Sequence, residues 1–201
     1  MNIPAYITDL GDSAVLGAIA LATTLFFLFN RCPREAAAMA LSFIGAGAVI
    51  AFLKISFLSC GQNFLGIQSP SGHAALSVSV LGAYGLVLTR GSKGGLSPVL
   101  LPILLSGFGL LIALTRVSLG YHSVSEVILG TITGLAVMLA IKIWVLKPGA
   151  APRGEEAGFN IPILVALTLL AAFLVYGKNL PVEGKIRQVA ERVKVLLSGC
   201  P

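Results

Sequence analysis

The sequence predicts an all-α, polytopic membrane protein, a bundle of about six transmembrane helices. Three observations lead there. The 201-residue chain is 56% hydrophobic and only 11% charged, whereas soluble domains carry about 25% charged residues. Six apolar stretches, about 13–30, 36–57, 73–89, 97–115, 124–146 and 159–176, approach or exceed the length of a bilayer-crossing helix. The connections between them are short, which leaves no room for a separate soluble domain. The whole chain, 1–201, therefore reads as one integral membrane domain with a core over 10–176 and a tail over 177–201. Helices are the expected form because hydrocarbon offers backbone N–H and C=O groups no partner outside the segment.

Each element has its own local signal. The first span follows Asp9 and Asp12 rather than a basic segment, so it reads as a retained span and not a cleaved signal peptide. The third follows Ser69-Pro70, which suit an N-cap and a first helical position. The fourth ends at Arg116, and Val117 to Tyr121 turns the chain, with Gly120 as the flexible point. The fifth opens on Ser123-Val124-Ser125-Glu126, an S-x-x-E capping box, and carries Gly130 and Gly134 at a spacing that permits close helix packing. Pro148, Gly149, Pro152 and Gly154 make Lys147 to Gly158 a loop. In the tail, Val182, Ile186, Val189, Val193 and Leu197 recur at helical spacing among basic residues, the pattern of an amphipathic helix on a membrane surface.

Charge orients the bundle. Arg31 and Arg34, Arg90 and Lys93, and Lys142, Lys147 and Arg153 fall around alternate connections, which the positive-inside rule places in the cytoplasm. The N-terminus, the connections after the second and fourth spans, and the tail then lie on the other side. The tail's Lys178, Lys185, Arg187, Arg192 and Lys194 run against that rule. The net charge of +6 suits membrane lipids as partners, and no nucleic-acid partner is expected. Cys32, Cys60 and Cys200 are odd in number and widely spaced, which fits inert thiols; a Cys60–Cys200 bridge is the alternative.

Two polar clusters interrupt this apolar chain, and they hold its only two histidines. The first is Ser69-Pro70-Ser71-Gly72-His73. The second is Arg116, His122 and Glu126, at spacings of six and four. Both open on the non-cytoplasmic face by parity. A helix N-terminus presents unpaired N–H groups and the positive end of its dipole, a ready phosphate site. Gly72 would admit an anion close to the backbone, Ser71 adds a hydroxyl and His73 a titratable group; capping alone needs neither Gly72 nor His73. Arg116 is suited to clamp phosphate oxygens, although a snorkelling interfacial anchor is the plain alternative. Glu126 would accept from one nitrogen of His122 and leave the other nucleophilic, or simply close the capping box, or do both. No metal-ligand constellation stands out, and no cofactor is expected.

At these residues the chain resembles the type 2 phosphatidic acid phosphatase (PAP2) superfamily, which includes bacterial membrane lipid phosphatases. Pro70-Ser71-Gly72-His73 matches its Pro-Ser-Gly-His motif intact. Thr115-Arg116, His122 and Glu126 match its Ser-Arg-x5-His-x3-Asp motif in spacing, with Thr for Ser and Glu for Asp. The remaining motif, Lys-x6-Arg-Pro, is reduced to Lys54: Cys60, Gly61 and Gln62 follow, and Gln62 and Asn63 are neutral candidates for the missing cation's place. The resemblance implies that His122 takes the phosphoryl group as phosphohistidine and that His73 protonates the leaving group. It implies that Glu126 orients His122, and that Lys54, Ser71, Gly72 and Arg116 bind phosphate, with no metal. The implied substrate is a lipid phosphate or diphosphate at the outer face of a bacterial inner membrane: phosphatidic acid, phosphatidylglycerol phosphate or a polyprenyl diphosphate. The lost Arg-Pro leaves a second expectation, a weak or inactive member that binds or transports lipid.

Overall fold

The structure, a computed structural model, describes residues 3–60, 67, 69–90, 97–146, 159–178 and 182–196. Among these residues it contains helices and no strand: α1 (Ile3–Asp9), α2 (Ser13–Phe29), α3 (Pro33–Cys60), α4 (Gly72–Arg90), α5 (Leu100–Ser118), α6 (Val124–Ala140), α7 (Ile161–Val175) and α8 (Val182–Leu196). A π-helical turn, Ile141–Val145, continues α6.

Six of these, α2 to α7, coincide with the six expected apolar stretches. Their ends follow local chemistry. Asp12 caps α2, its Oδ1 accepting from Ala14 N–H at 2.8 Å. The fourth stretch starts three residues later than expected, because Ser97 Oγ accepts from the Leu100 N–H at 3.1 Å and holds Pro98 and Val99 in a turn. Asn160 caps α7 through Ile163 N–H at 3.2 Å, and Gly177, at φ +75°, follows its end. At 15 residues, α7 is a shorter apolar helix. Among the described residues, four helices are long and apolar enough to cross a membrane: α3, α4, α5 and α6 with its π-turn. The α1–α2 pair, bent by 42°, counts as a fifth if it acts as one span.

Helix α4 is the centre of the bundle, packed against α2, α3, α5 and α6. Its sequence explains this. Ala74, Ala75, Ser77, Ser79, Gly82, Ala83 and Gly85 are buried and small, so neighbouring backbones approach closely. The expected close packing at Gly130 and Gly134 of α6 is against this helix: a Cβ at Gly130 would collide with the Ser71 carbonyl oxygen, and one at Gly134 with that of Ala75. The Ser77 hydroxyl lies 3.0 Å from the Gly109 carbonyl of α5, and Ser79 Oγ donates to Ser42 O of α3 at 3.0 Å. The outer faces carry exposed Phe29, Phe52, Ile103, Ile132 and Phe173, as a lipid-facing surface should.

One end of the bundle is closed by Arg90, whose Nε donates to Glu35 Oε1 at 3.0 Å and whose Nη1 donates to Leu146 O at 2.8 Å. The other end gathers the start of α2, the end of α3, the start of α4, the end of α5 and the start of α6. The tail forms the expected amphipathic helix α8, with one difference. It docks on the end of α3, where Ala190 is buried and Ser59 Oγ donates to Ala190 O at 3.1 Å. Cys32 is buried and free; the side chains of Cys60 and Cys200, and with them the suggested bridge, lie outside the described residues, as do Gln62, Asn63, Lys93 and the 147–158 loop.

Candidate active site

The turn after α5 sets the position of His122. The Tyr121 and His122 N–H groups both donate to the Arg116 carbonyl, at 3.0 and 3.2 Å, and Gly120 adopts φ +71°, where a glycine is favoured. Ser123 then caps α6. Its Oγ accepts from Glu126 N–H at 3.3 Å, and Glu126 Oε2 accepts from Ser123 N–H at 3.1 Å, which completes the capping box. The same Oε2 lies 2.9 Å from His122 Nδ1. An ionised carboxylate only accepts, so Nδ1 carries the hydrogen and Nε2 keeps its lone pair. Glu126 therefore makes both contacts that its sequence position suggested.

Glu126 also joins the two clusters. Its Oε1 accepts from Ser69 N–H at 2.7 Å, and its carbonyl accepts from Ser71 N–H at 3.1 Å. These bonds hold residues 69–71 against α6 and correct the expected cap. Helix α4 begins at Gly72 rather than Pro70, and Ser71 rather than Ser69 precedes it, its Oγ accepting from Ala74 N–H at 3.4 Å. Ser71 is fully buried, and Ser69, whose Oγ has no hydrogen-bond partner among the described residues, takes the place on the cavity wall that sequence reasoning gave to Ser71.

A cavity of about 350 Å³ opens here, lined by Lys54, Ser69, Gly72, His73, Arg116, Tyr121, His122, Glu126, Glu183 and Arg187. It brings together every expected site residue except Ser71. A Cβ at Gly72 would meet only Ile50 Cγ2, at 3.7 Å, so packing does not demand glycine there. The Arg116 guanidinium lies over the Tyr121 ring, 4.4 Å from its centroid; Nη1 is 3.5 Å from Thr8 Oγ1, and Nε is buried without a hydrogen-bond partner among the described residues. Lys54, its side chain 3% exposed, is paired with Glu183 of α8. His73 Nε2 lies 4.0 Å from Asp12 Oδ2.

Charge and burial tune the groups outside the spans. Burial lowers the His122 pKa below its ordinary 6.5, and the Lys54 and Arg116 charges act the same way; the Glu126 hydrogen bond and charge oppose this without reversing it. Burial raises the Glu183 carboxyl, but the Lys54 hydrogen bond and charge, with the Arg187 charge, bring it below its ordinary 4.5. Neutral His122 beside fixed cations can attack an electrophilic phosphorus, and the cations can hold its oxygens.

Sequence reasoning missed Thr8, Asp12, Tyr121, Glu183 and Arg187. Asp12 had a signal, as an acidic residue directly before the Ser13 apolar run, where a cap is expected. Glu183 and Arg187 had only their i, i+4 spacing, and their Nε–Oε1 distance of 3.8 Å says nothing about a partner 129 residues away.

No curated protein and no solved structure matches the chain. Residues 54–150 match the family model of the PAP2 superfamily, a phosphatase family in general. That segment starts at Lys54 and contains both histidines, Arg116 and Glu126.

Proposed function

We propose that the protein is a membrane phosphatase that hydrolyses a lipid phosphate or diphosphate through a phosphohistidine. The observation that carries this reading is His122, with Nδ1 held by Glu126 at 2.9 Å, in one cavity with Lys54, Arg116 and His73. Lys54, Arg116, Ser69 and the first N–H groups of α4 at Gly72 bind the phosphoryl oxygens, while Ser71 caps that helix end. His122 Nε2 attacks phosphorus; a P–N bond forms as the P–O bond to the lipid breaks, and His73 gives its proton to the leaving oxygen. Water then attacks phosphorus, its proton passes to His73, and the P–N electron pair returns to His122 as phosphate leaves. The residues act without a metal ligand in these steps.

The apolar helix exteriors support a substrate that stays in the bilayer, of the phosphatidic acid, phosphatidylglycerol phosphate or polyprenyl diphosphate class. The charge distribution supports a site on the non-cytoplasmic face, and the family resemblance suggests a bacterial inner membrane. A catalytically weak lipid-binding or transport protein is the second reading; the Glu183 carboxylate seated on Lys54 favours it. Vanadate separates the two. Vanadate inhibition of lipid phosphate turnover supports the phosphatase, and lipid phosphate binding without turnover supports the second reading.

A further inference from the structure

The C-terminal helix α8 lies far from the phosphatase motifs in sequence, yet it forms one wall of their cavity. Its docking is specific. Ser59 donates to Ala190 O at 3.1 Å, Ala190 is buried, and Ile186 faces Ile50, Gly72 and Leu76 across an adjoining cleft. Glu183 is paired with Lys54 and lies 3.8 Å from Arg187 Nε. The carboxylate thus sits between two cations inside a cavity built for an anion. Among the described residues, three cations line that cavity, Lys54, Arg116 and Arg187. Between Lys54 and Ser71 the sequence holds no arginine, so α8 is where the third comes from.

We propose that α8 completes the anion site, with Arg187 as a phosphate-positioning residue and Glu183 as the resident anion that incoming phosphate displaces from Lys54. The proposal rests on the phosphatase reading for its substrate, but not for its binding chemistry. A carboxylate and a phosphate oxygen accept from the same ammonium and guanidinium donors. On displacement Glu183 swings out to solvent, which its half-exposed side chain permits, and Arg187 turns from Glu183 to the phosphate. No covalent step is added. The ligand chemistry is a phosphate monoester or diphosphate, whether on a lipid or as the free anion.

The test uses the full chain in detergent, with inorganic phosphate binding measured by calorimetry and turnover of a short-chain lipid phosphate measured in parallel. Arg187→Gln should weaken phosphate binding and raise KM by about five- to tenfold, a modest change because the side chain is 66% exposed. Arg187→Lys should recover part of the loss. Glu183→Gln should bind phosphate more tightly than wild type. Lys185→Gln removes the same charge from the exposed face of the same helix and should match wild type. Unchanged phosphate affinity in Arg187→Gln, or an equal loss in Lys185→Gln, would overturn the ligand role. Weaker binding in Glu183→Gln would overturn the displacement. The failure of the phosphatase reading looks different: wild type would bind phosphate and show the Arg187 effect, yet release nothing from any lipid phosphate.

Discussion

Glu126 carries more of the site than any other single residue. Its two oxygens and its carbonyl hold His122 Nδ1, the Ser123 N–H, the Ser69 N–H and the Ser71 N–H. Glu126→Gln puts an amide where a charged acceptor stood, and the tautomer of His122 is no longer fixed. Turnover should fall roughly 100-fold or more, read as kcat in a phosphate-release assay. The pH profile follows from His122. Its pKa lies below 6.5, and the neutral form is the nucleophile. Activity therefore falls as acid protonates the ring, so the acidic limb of kcat/KM should lie below pH 6.5. A limb above pH 7 would assign it to another group. Gly72 separates packing from binding. Gly72→Ala meets only Ile50, at ordinary contact distance, and should leave the melting temperature unchanged or slightly higher, while activity drops about tenfold because the Cβ stands where phosphate approaches.

The elements show which features a sequence can carry. The six apolar helices were legible because each rests on local signals: an apolar run, a cap, a glycine or a proline. Glu126's two functions were legible for the same reason, since His122, Ser123 and Glu126 are neighbours on the chain. The boundary error at α4 arose from long-range bonds. Glu126 pins Ser69 and Ser71 from more than 50 residues away, and no reading of Ser69-Pro70 alone can weigh that. The same holds for α8, whose amphipathic stripe was plain but whose seat on α3 depends on Lys54 and Ser59. The GxxxG pair of α6 gained a partner in the structure. Gly130→Ala should cost about 1–3 kcal/mol, because its Cβ meets the backbone of Ser71, just before α4, rather than a movable side chain. Thermal denaturation in detergent would show it, and turnover should fall as well, because the displaced backbone is that of Ser71 at the start of the helix proposed to bind phosphate.

For the whole molecule, the bundle has two chemically distinct ends. One is closed by Arg90 and Glu35, and the other is open at the His73–His122 cavity. The charge rule predicts a cytoplasmic position for the first. Ser97 and Ser118 are exposed at the two ends of α5. In a background with Cys60 and Cys200 replaced by serine, Ser118→Cys should react with a membrane-impermeant maleimide added to intact cells, and Ser97→Cys should react only after the membrane is opened. The reverse pattern would put the site in the cytoplasm. The central claim concerns His122 itself, and phosphate release by the detergent-solubilised protein tests it most directly. Given phosphatidic acid or a polyprenyl diphosphate, wild type should release phosphate and His122→Ala should lose about 1,000-fold or more of that rate. Release by His122→Ala at the wild-type rate would contradict it.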